Sequence, residues 1–251
     1  MTIEGIEELG TILAVFAHPD DETYLAAGVF AAARDAGSRV VCVTATRGER
    51  GTPDPVAWPP ERLARLRERE LAAALDVLGV EEHHWLGYGD GECAEAPHAT
   101  AVARVTAQIE VVQPDTILTF GPDGITGHSD HRAVSRWVGS AHDAAGAGAR
   151  LLHATTRLGN VARFADVNTR FDVYLPGFPH ETPSEELAID LELRGTHLDR
   201  KLLALHAQGS QTSPLVAAIG EDRYREWVAH ESFVDAPALA TVGSHPLARA
   251  A

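Results

Sequence analysis

The chain has 251 residues, 45% of them hydrophobic, and a formal net charge of -15. That length holds one large domain or two small ones. The charge disfavours nucleic-acid phosphates as partners, no stretch approaches the ~20 apolar residues that span a bilayer, and two cysteines, Cys42 and Cys93, make neither a disulfide framework nor a zinc knuckle.

In chain order, the opening "MTIEGIEELG" is acidic and lacks the basic start and apolar core of a signal peptide, so a cytoplasmic protein is expected. The apolar run 11–17 reads as a buried strand, 21–36 as a helix closed by Gly37, and 39–45 as a second strand. A Gly- and Pro-rich loop, 46–60, precedes a strongly periodic helix over 61–79 that stops at Gly79. A short strand at 83–87, a helix at 99–112, a strand at 115–120 and a helix at 129–145 follow. This alternation predicts an α/β fold, a Rossmann-like parallel sheet with helices on both faces. The second half is less regular. Strands are expected at 150–158, 169–175 and, at a sheet edge, 186–193, with helices at 196–208 and 221–231. The expectation is one domain over 1–251, with a core of about 10–145 and a C-terminal extension of about 146–251 that builds part of a site wall.

Two stretches carry chemistry. "AHPDDE" (17–22) follows the first strand and "GHSDH" (127–131) follows the fourth, and both precede a helix. In an open α/β sheet, ligands bind beyond the carboxyl ends of the strands. Pro19 keeps His18 extended, and Asp20, Asp21 and Glu22 lie where a helix N-terminus favours negative charge. Helix capping alone could account for such acids. Two such clusters, each ending a strand, instead suit a divalent cation held by imidazole and carboxylate. A cation also relieves the repulsion among the acids, activates water and polarises a carbonyl, while a spare carboxylate takes a proton. One acid would then ligate, one act as base, and the third cap the helix or orient a ligand; spacing does not tell Asp20 from Asp21.

At these residues the chain resembles the LmbE-like, or PIG-L-like, family of zinc-dependent de-N-acetylases, over roughly residues 10–140. The resemblance implies a Rossmann-like fold and hydrolysis of an N-acetyl or other N-acyl group on an amino sugar, such as N-acetylglucosamine, or on a sugar conjugate. It implies His18, Asp21 and His131 as metal ligands and Asp20 as general base. His128 becomes the group that stabilises the oxyanion or protonates the amine, oriented by Asp130. The implied cofactor is Zn2+, with Fe2+ open as the metal in the cell. Two looser matches, "TRGERG" and "LGYGDGE", offer Arg47, Glu49, Arg50 and Asp90 for substrate hydroxyls, against a plain reading as turns. The family commonly has a histidine where Gln208 stands, and some members a tyrosine where Thr126 stands.

The expected partner is a small N-acetylated sugar or conjugate, with no nucleic acid and no membrane; a homo-oligomer is left open. The same chemistry would serve an amidase that cleaves larger N-acyl conjugates. A non-haem Fe(II) oxygenase also uses two histidines and a carboxylate, but leaves His128, Asp130 and Asp21 without roles. A binding module with a structural metal would usually carry cysteine ligands, which these motifs lack.

Overall fold

The computed structural model describes residues 3–146 and 148–237. The first half runs β1 (Ile12–Phe16), α1 (Asp21–Asp35), β2 (Val40–Thr44), α2 (Pro60–Leu78), β3 (Glu82–Trp85), α3 (His98–Val112), β4 (Thr116–Phe120), α4 (Ser129–Ala145) and β5 (Arg150–Ala154). The second half adds β6 (Thr156–Arg157), α5 (Asn160–Arg163), α6 (Ala165–Arg170), β7 (Glu181–Thr182), β8 (Ile189–Glu192), α7 (Gly195–Ala207), α8 (Gly209–Ile219), α9 (Glu221–Val228) and β9 (His230–Asp235).

The sheet order is β3-β2-β1-β4-β5-β9-β8. The first five strands are parallel, and β9 and β8 join antiparallel. β1, β2 and β4 are buried at every residue, as strands covered on both faces must be. α1, α2 and α7 pack together, as do α3 and α4; right-handed crossovers place these two groups on opposite faces. The chain moves outward from β1 to β3, then crosses back to β4, so β1 and β4 flank the point where the order reverses. Their pairing aligns Ile12 with Thr116 and Ala14 with Leu118. Phe16 and Phe120, at the two strand ends, meet edge to face at 5.2 Å between centroids. The segments that follow β1 and β4 therefore start side by side.

The second half departs from the sequence reading in two places. Residues 169–175 hold no strand: α6 ends at Arg170, Asp172 takes φ 48, and Val173 N–H bonds back to Asn168 O at 3.1 Å. The helix expected over 221–231 ends at Val228, and β9 starts two residues on without a Gly or Pro to mark the change. The region read as one strand over 150–158 divides into β5 and β6.

The extension is tied to the core by a buried ion pair. Lys201 Nζ of α7 lies 2.8 Å from Glu231 Oε1 of β9, with both side chains 0% exposed. Glu231 also accepts from the amides of Gly28 and Val29 in α1, at 2.8 and 3.0 Å. Gly28 also lets Leu193 pack against α1, since a Cβ there would sit 2.4 Å from Leu193 Cδ2. Removing one partner of a buried pair leaves an uncompensated charge and costs about 3–5 kcal/mol. Lys201→Met is expected to lose that much in urea unfolding, and Lys201→Met with Glu231→Gln to recover part of it. A single-variant loss below about 1 kcal/mol, the scale of an exposed pair, would contradict this anchoring role.

Candidate active site

At the end of β1 the backbone turns sharply. Asp20 precedes α1 at φ 106, ψ -31 and makes no side-chain cap bond. The first amides of the helix, Thr23 and Tyr24, donate to its backbone carbonyl instead. A non-glycine residue at positive φ is worth about 1–3 kcal/mol of strain, and here that strain leaves the carboxylate free of capping duty. Asp20 Oδ2 instead accepts from Arg67 Nη2 at 3.1 Å, with the Asp20 side chain 19% exposed.

At the end of β4 the loop reaches α4 through Gly127, whose φ is 82 and whose Cβ would lie 2.5 Å from the Phe178 ring. His128 caps α4: its Nδ1 accepts from the Asp130 amide at 3.2 Å. The His131 ring stacks on Phe120, with centroids 4.2 Å apart and planes 10° off parallel. Its Nδ1 lies 3.0 Å from Gly124 O, which places the proton on Nδ1 and leaves Nε2 bare.

His131 Nε2, His18 Nδ1 and Asp21 form a triangle. The edges are 3.2 Å between the imidazoles, 3.3 Å from His131 to Asp21 Oδ1 and 3.5 Å from His18 to Asp21 Oδ2. Ligand bonds of 2.0–2.1 Å at tetrahedral angles require edges of about 3.3–3.4 Å. The two edges to Asp21 end on different oxygens of its carboxylate, and two imidazoles with a carboxylate are a donor set that suits a divalent cation such as zinc. The outer contacts agree: His18 Nε2 faces Asp90 Oδ1 at 3.2 Å and Asp130 Oδ2 at 3.3 Å, so its proton points to carboxylates while Nδ1 points inward. Two groupings offer one donor atom per residue with all of them within 4.8 Å of one another, His18 with His128 and His131, and His18 with Asp90 and Asp130. The second uses the His18 nitrogen that those carboxylates occupy. The first is a three-histidine set that shares His18 and His131 with the triangle and has His128 in place of Asp21.

The charges favour a cation. Burial opposes protonation of His18, yet the hydrogen bonds it donates to Asp130, Asp21 and Asp90 hold its pKa well above the ordinary value. Burial brings His131 down to about 4, with Asp21 pulling the other way. Burial also opposes ionisation of Asp21, but His131 and His18 hold its carboxyl well below the usual range. Asp20 goes the other way, raised to about 7 by burial against the pull of Arg67, with Asp21 and Glu22 adding to the rise. Two adjacent acids are thus driven apart, which is the pattern of a ligand beside a base.

The remaining sequence candidates divide. The Asp130 carboxylate does not reach the His128 ring; it is spent on His18, the Gly91 amide at 2.7 Å and the Cys93 amide at 3.2 Å. Nor does Asp130 keep His128 charged to higher pH: burial, then His18, lower the His128 pKa and outweigh Asp130. Arg47 turns away, pairing with Glu68 and lying 5.0 Å over the Trp85 ring. Glu49 Oε1 accepts from the Asp90 amide at 2.9 Å, and so shapes the loop. The Arg50 amide donates to Asp90 Oδ2, while its side chain pairs with Glu92. Asp90 is brought to His18. Gln208 is buried against Glu22 Oε1 at 2.8 Å and Thr23 Oγ1 at 2.7 Å, so it tethers the third acid of the first motif. Arg67 escaped the sequence reading although the signal was present. It interrupts the apolar stripe of α2 between Leu63 and Leu71, all three buried, and a buried arginine at a core position needs an anionic partner.

Two cavities open from this centre and share Asp20, Asp21, His131 and Gln211. One, of about 390 Å3, is polar and is lined by His18, Arg50, Arg67, Asp90 and His128. The other, of about 360 Å3, is walled mainly by the C-terminal half.

Comparison with known proteins gives three findings. The description PIG-L: GlcNAc-PI de-N-acetylase matches residues 13–142. A 1D-myo-inositol 2-acetamido-2-deoxy-alpha-D-glucopyranoside deacetylase of Saccharomonospora viridis is 31% identical over 80% of this chain and 84% of its own. One of the same name from Kineococcus radiotolerans is 33% identical over 53% of this chain, a match spanning only 45% of that relative's length. Among solved structures, the N,N'-diacetylchitobiose deacetylase from Pyrococcus horikoshii superposes with a TM-score of 0.63 at 22% identity, covering 94% of this chain and 87% of that one; at that identity the likeness speaks for the fold.

The raised Asp20 pKa has a stability consequence in metal-free protein. The folded state holds this proton to about pH 7, whereas an unfolded aspartate releases it near 3.8. Stability from Asp20 is therefore present below about pH 4 and lost as pH rises through 7. Asp20→Asn, which mimics the protonated form, is expected to raise the melting temperature more at pH 8 than at pH 5. A gain that does not grow with pH would contradict the burial of this carboxylate.

Proposed function

The chain belongs to the PIG-L family of GlcNAc-PI de-N-acetylases, and on that premise we propose that it is a metal-dependent hydrolase that removes an N-acetyl group from an amino sugar or sugar conjugate. The observation that carries the proposal is the triangle of His18, Asp21 and His131 with a second, differently titrating carboxylate, Asp20, beside it. No helix among the described residues is long and apolar enough to cross a membrane.

His18 Nδ1, Asp21 and His131 Nε2 would hold the metal; two imidazoles and a carboxylate suit zinc, and Fe2+ accepts the same set. A cation bound there would activate water and polarise the amide carbonyl. The chain's own groups do the rest. Asp20, the carboxylate beside the triangle, takes a proton from the attacking water. Arg67 fixes that carboxylate through Oδ2. The water oxygen bonds to the acyl carbon, the C–N bond breaks, and Asp20 returns the proton to the leaving nitrogen. His128 stands in the polar cavity, its ring edge-on to His18 at 4.9 Å between centroids. Its Nδ1 accepts from the Asp130 amide, so the neutral ring carries its proton on Nε2 and donates it to the developing oxyanion. Thr126 takes no part in this, because its hydroxyl lies 3.3 Å from His131 Nδ1. Arg50 and Asp90 remain the groups proposed to meet sugar hydroxyls. Arg47 and Glu49, engaged as described above, are proposed only to shape the loop.

The two adjacent acids separate in experiment. Asp21→Asn is expected to lose metal by elemental analysis. Asp20→Asn keeps it and loses about 10²–10⁴ in kcat on an N-acetylated amino sugar, the range for a general base. The reverse pattern would exchange their roles. For His128→Ala the expectation is retained metal, a kcat lower by at least about 10², and an unchanged alkaline limb, because the ring already works in its neutral form. Loss of that limb would mean that the imidazolium is the active species.

A further inference from the structure

One helix of the C-terminal half reaches the first turn of α1 at two points. Lys201 Nζ donates to Tyr24 O at 2.6 Å, and Gln208 Nε2 donates to Glu22 Oε1 at 2.8 Å and to Thr23 Oγ1 at 2.7 Å. Lys201 lies within α7 and Gln208 closes it. Seven residues make about two helical turns, so both side chains leave the same face. Lys201, Gln208 and Glu22 are all buried.

The Glu22 carboxylate passes that contact on. Its Oε1 accepts from Gln208 and from the Thr23 hydroxyl at 2.5 Å, and its Oε2 accepts from the Asp20 amide at 3.1 Å. An acid that accepts from the amide ahead of a helix is half of a capping box, and helix capping is the plain explanation. Capping does not require burial, however. A surface acid accepts the same bond without leaving water, whereas a buried carboxylate is costly unless it is hydrogen-bonded. Glu22 is 0% exposed, and the donors that meet it are neutral. What the burial adds is a fixed Asp20. That residue stands at φ 106, a conformation that persists only where neighbours over-determine it. Arg67 holds its carboxylate, and the Thr23 and Tyr24 amides hold its carbonyl. Glu22 holds its N–H and carries the contact on to Gln208.

We propose that Glu22 and Gln208 are positioning residues for Asp20: α7, through the Gln208 amide and the Glu22 carboxylate, clamps the backbone that aims the base at the attacking water. The inference rests on the hydrolase reading, in which Asp20 is the base, and adds what the C-terminal half contributes to the chemistry. The clamp needs an acceptor at the Asp20 N–H and a matched partner at Gln208; it does not need a charge. Glu22→Gln therefore keeps it. The new carboxamide oxygen faces the Asp20 N–H, and the Gln208 amide turns over to offer its own oxygen to the new nitrogen. The Thr23 hydroxyl, both donor and acceptor, follows either arrangement. Gln208→Leu removes the donor and breaks the clamp.

The test combines hydrogen exchange of the Asp20 amide, followed by NMR on metal-free protein, with kcat, KM and metal content of the loaded protein on N-acetylglucosamine. The wild type is expected to show a protected Asp20 amide. In Gln208→Leu that amide should exchange about tenfold faster or more, the scale of one lost hydrogen bond. The same variant should lose about 10- to 10²-fold in kcat, the scale of a displaced reacting group, with KM and metal content unchanged. Thr23→Val, which takes a donor from the same carboxylate, should move both readouts in the same direction, and covers the case in which Gln208→Leu does not fold. Glu22→Gln should stay near wild type in both. An Asp20 amide that exchanges freely in the wild type, or that neither Gln208→Leu nor Thr23→Val affects, overturns the clamp. Faster exchange with unchanged kcat overturns the positioning role. A loss in Glu22→Gln as large as that in Gln208→Leu overturns it too, because charge rather than the bond would then matter. If the wild type cleaves nothing but the exchange rates respond as described, the clamp on Asp20 stands and the hydrolase reading fails.

Discussion

The parallel pairing of β1 with β4 is the constraint on which the rest depends. His18 and His131 are 113 positions apart in the chain, yet their ring nitrogens lie 3.2 Å apart. No local interaction brings them together. The Ile12–Thr116 register and the contact of Phe16 with Phe120 do so, by ending the two strands at one level where the sheet order reverses. Phe120 then continues into the site as the surface on which His131 stacks. A slip of the strands by one residue would move every side chain to the other face and separate the two histidines.

Given that placement, electrostatics sets the roles. Asp20, Asp21, Asp90 and Asp130 crowd one small volume, and the protein compensates with Arg67, the His18 imidazole and backbone amides. The compensation is uneven because the local geometry is. Asp21 faces two imidazoles and stays ionised, while Asp20 faces one guanidinium and two acids and holds its proton to about pH 7.

Much of this was legible in the sequence. The alternation of apolar runs with periodic helices revealed the first half, because central parallel strands and amphipathic helices carry their burial in their own residues. Both site motifs were visible for the same reason: each is contiguous and ends a strand. What could not be read was decided by partners distant in sequence. The Asp130 carboxylate is taken by amides of Gly91 and Cys93, some forty positions away, so its link to His18 rather than His128 has no local sign. Arg47 was drawn off by Trp85 and Glu68. β9 was hidden because α9 runs into it without a breaker. Arg67 was readable, as a charge in the stripe of α2, and shows that an exception inside a regular pattern carries as much information as the pattern.

The central claim is that the two strand ends build one metal site from His18, Asp21 and His131, with His128 outside it. Zinc-edge X-ray absorption of the loaded wild-type protein tests this most directly, because imidazole scattering counts the histidines bound. Two imidazoles, and the same spectrum for His128→Ala, are the result this account predicts. Three imidazoles in the wild type, falling to two in His128→Ala, would contradict it.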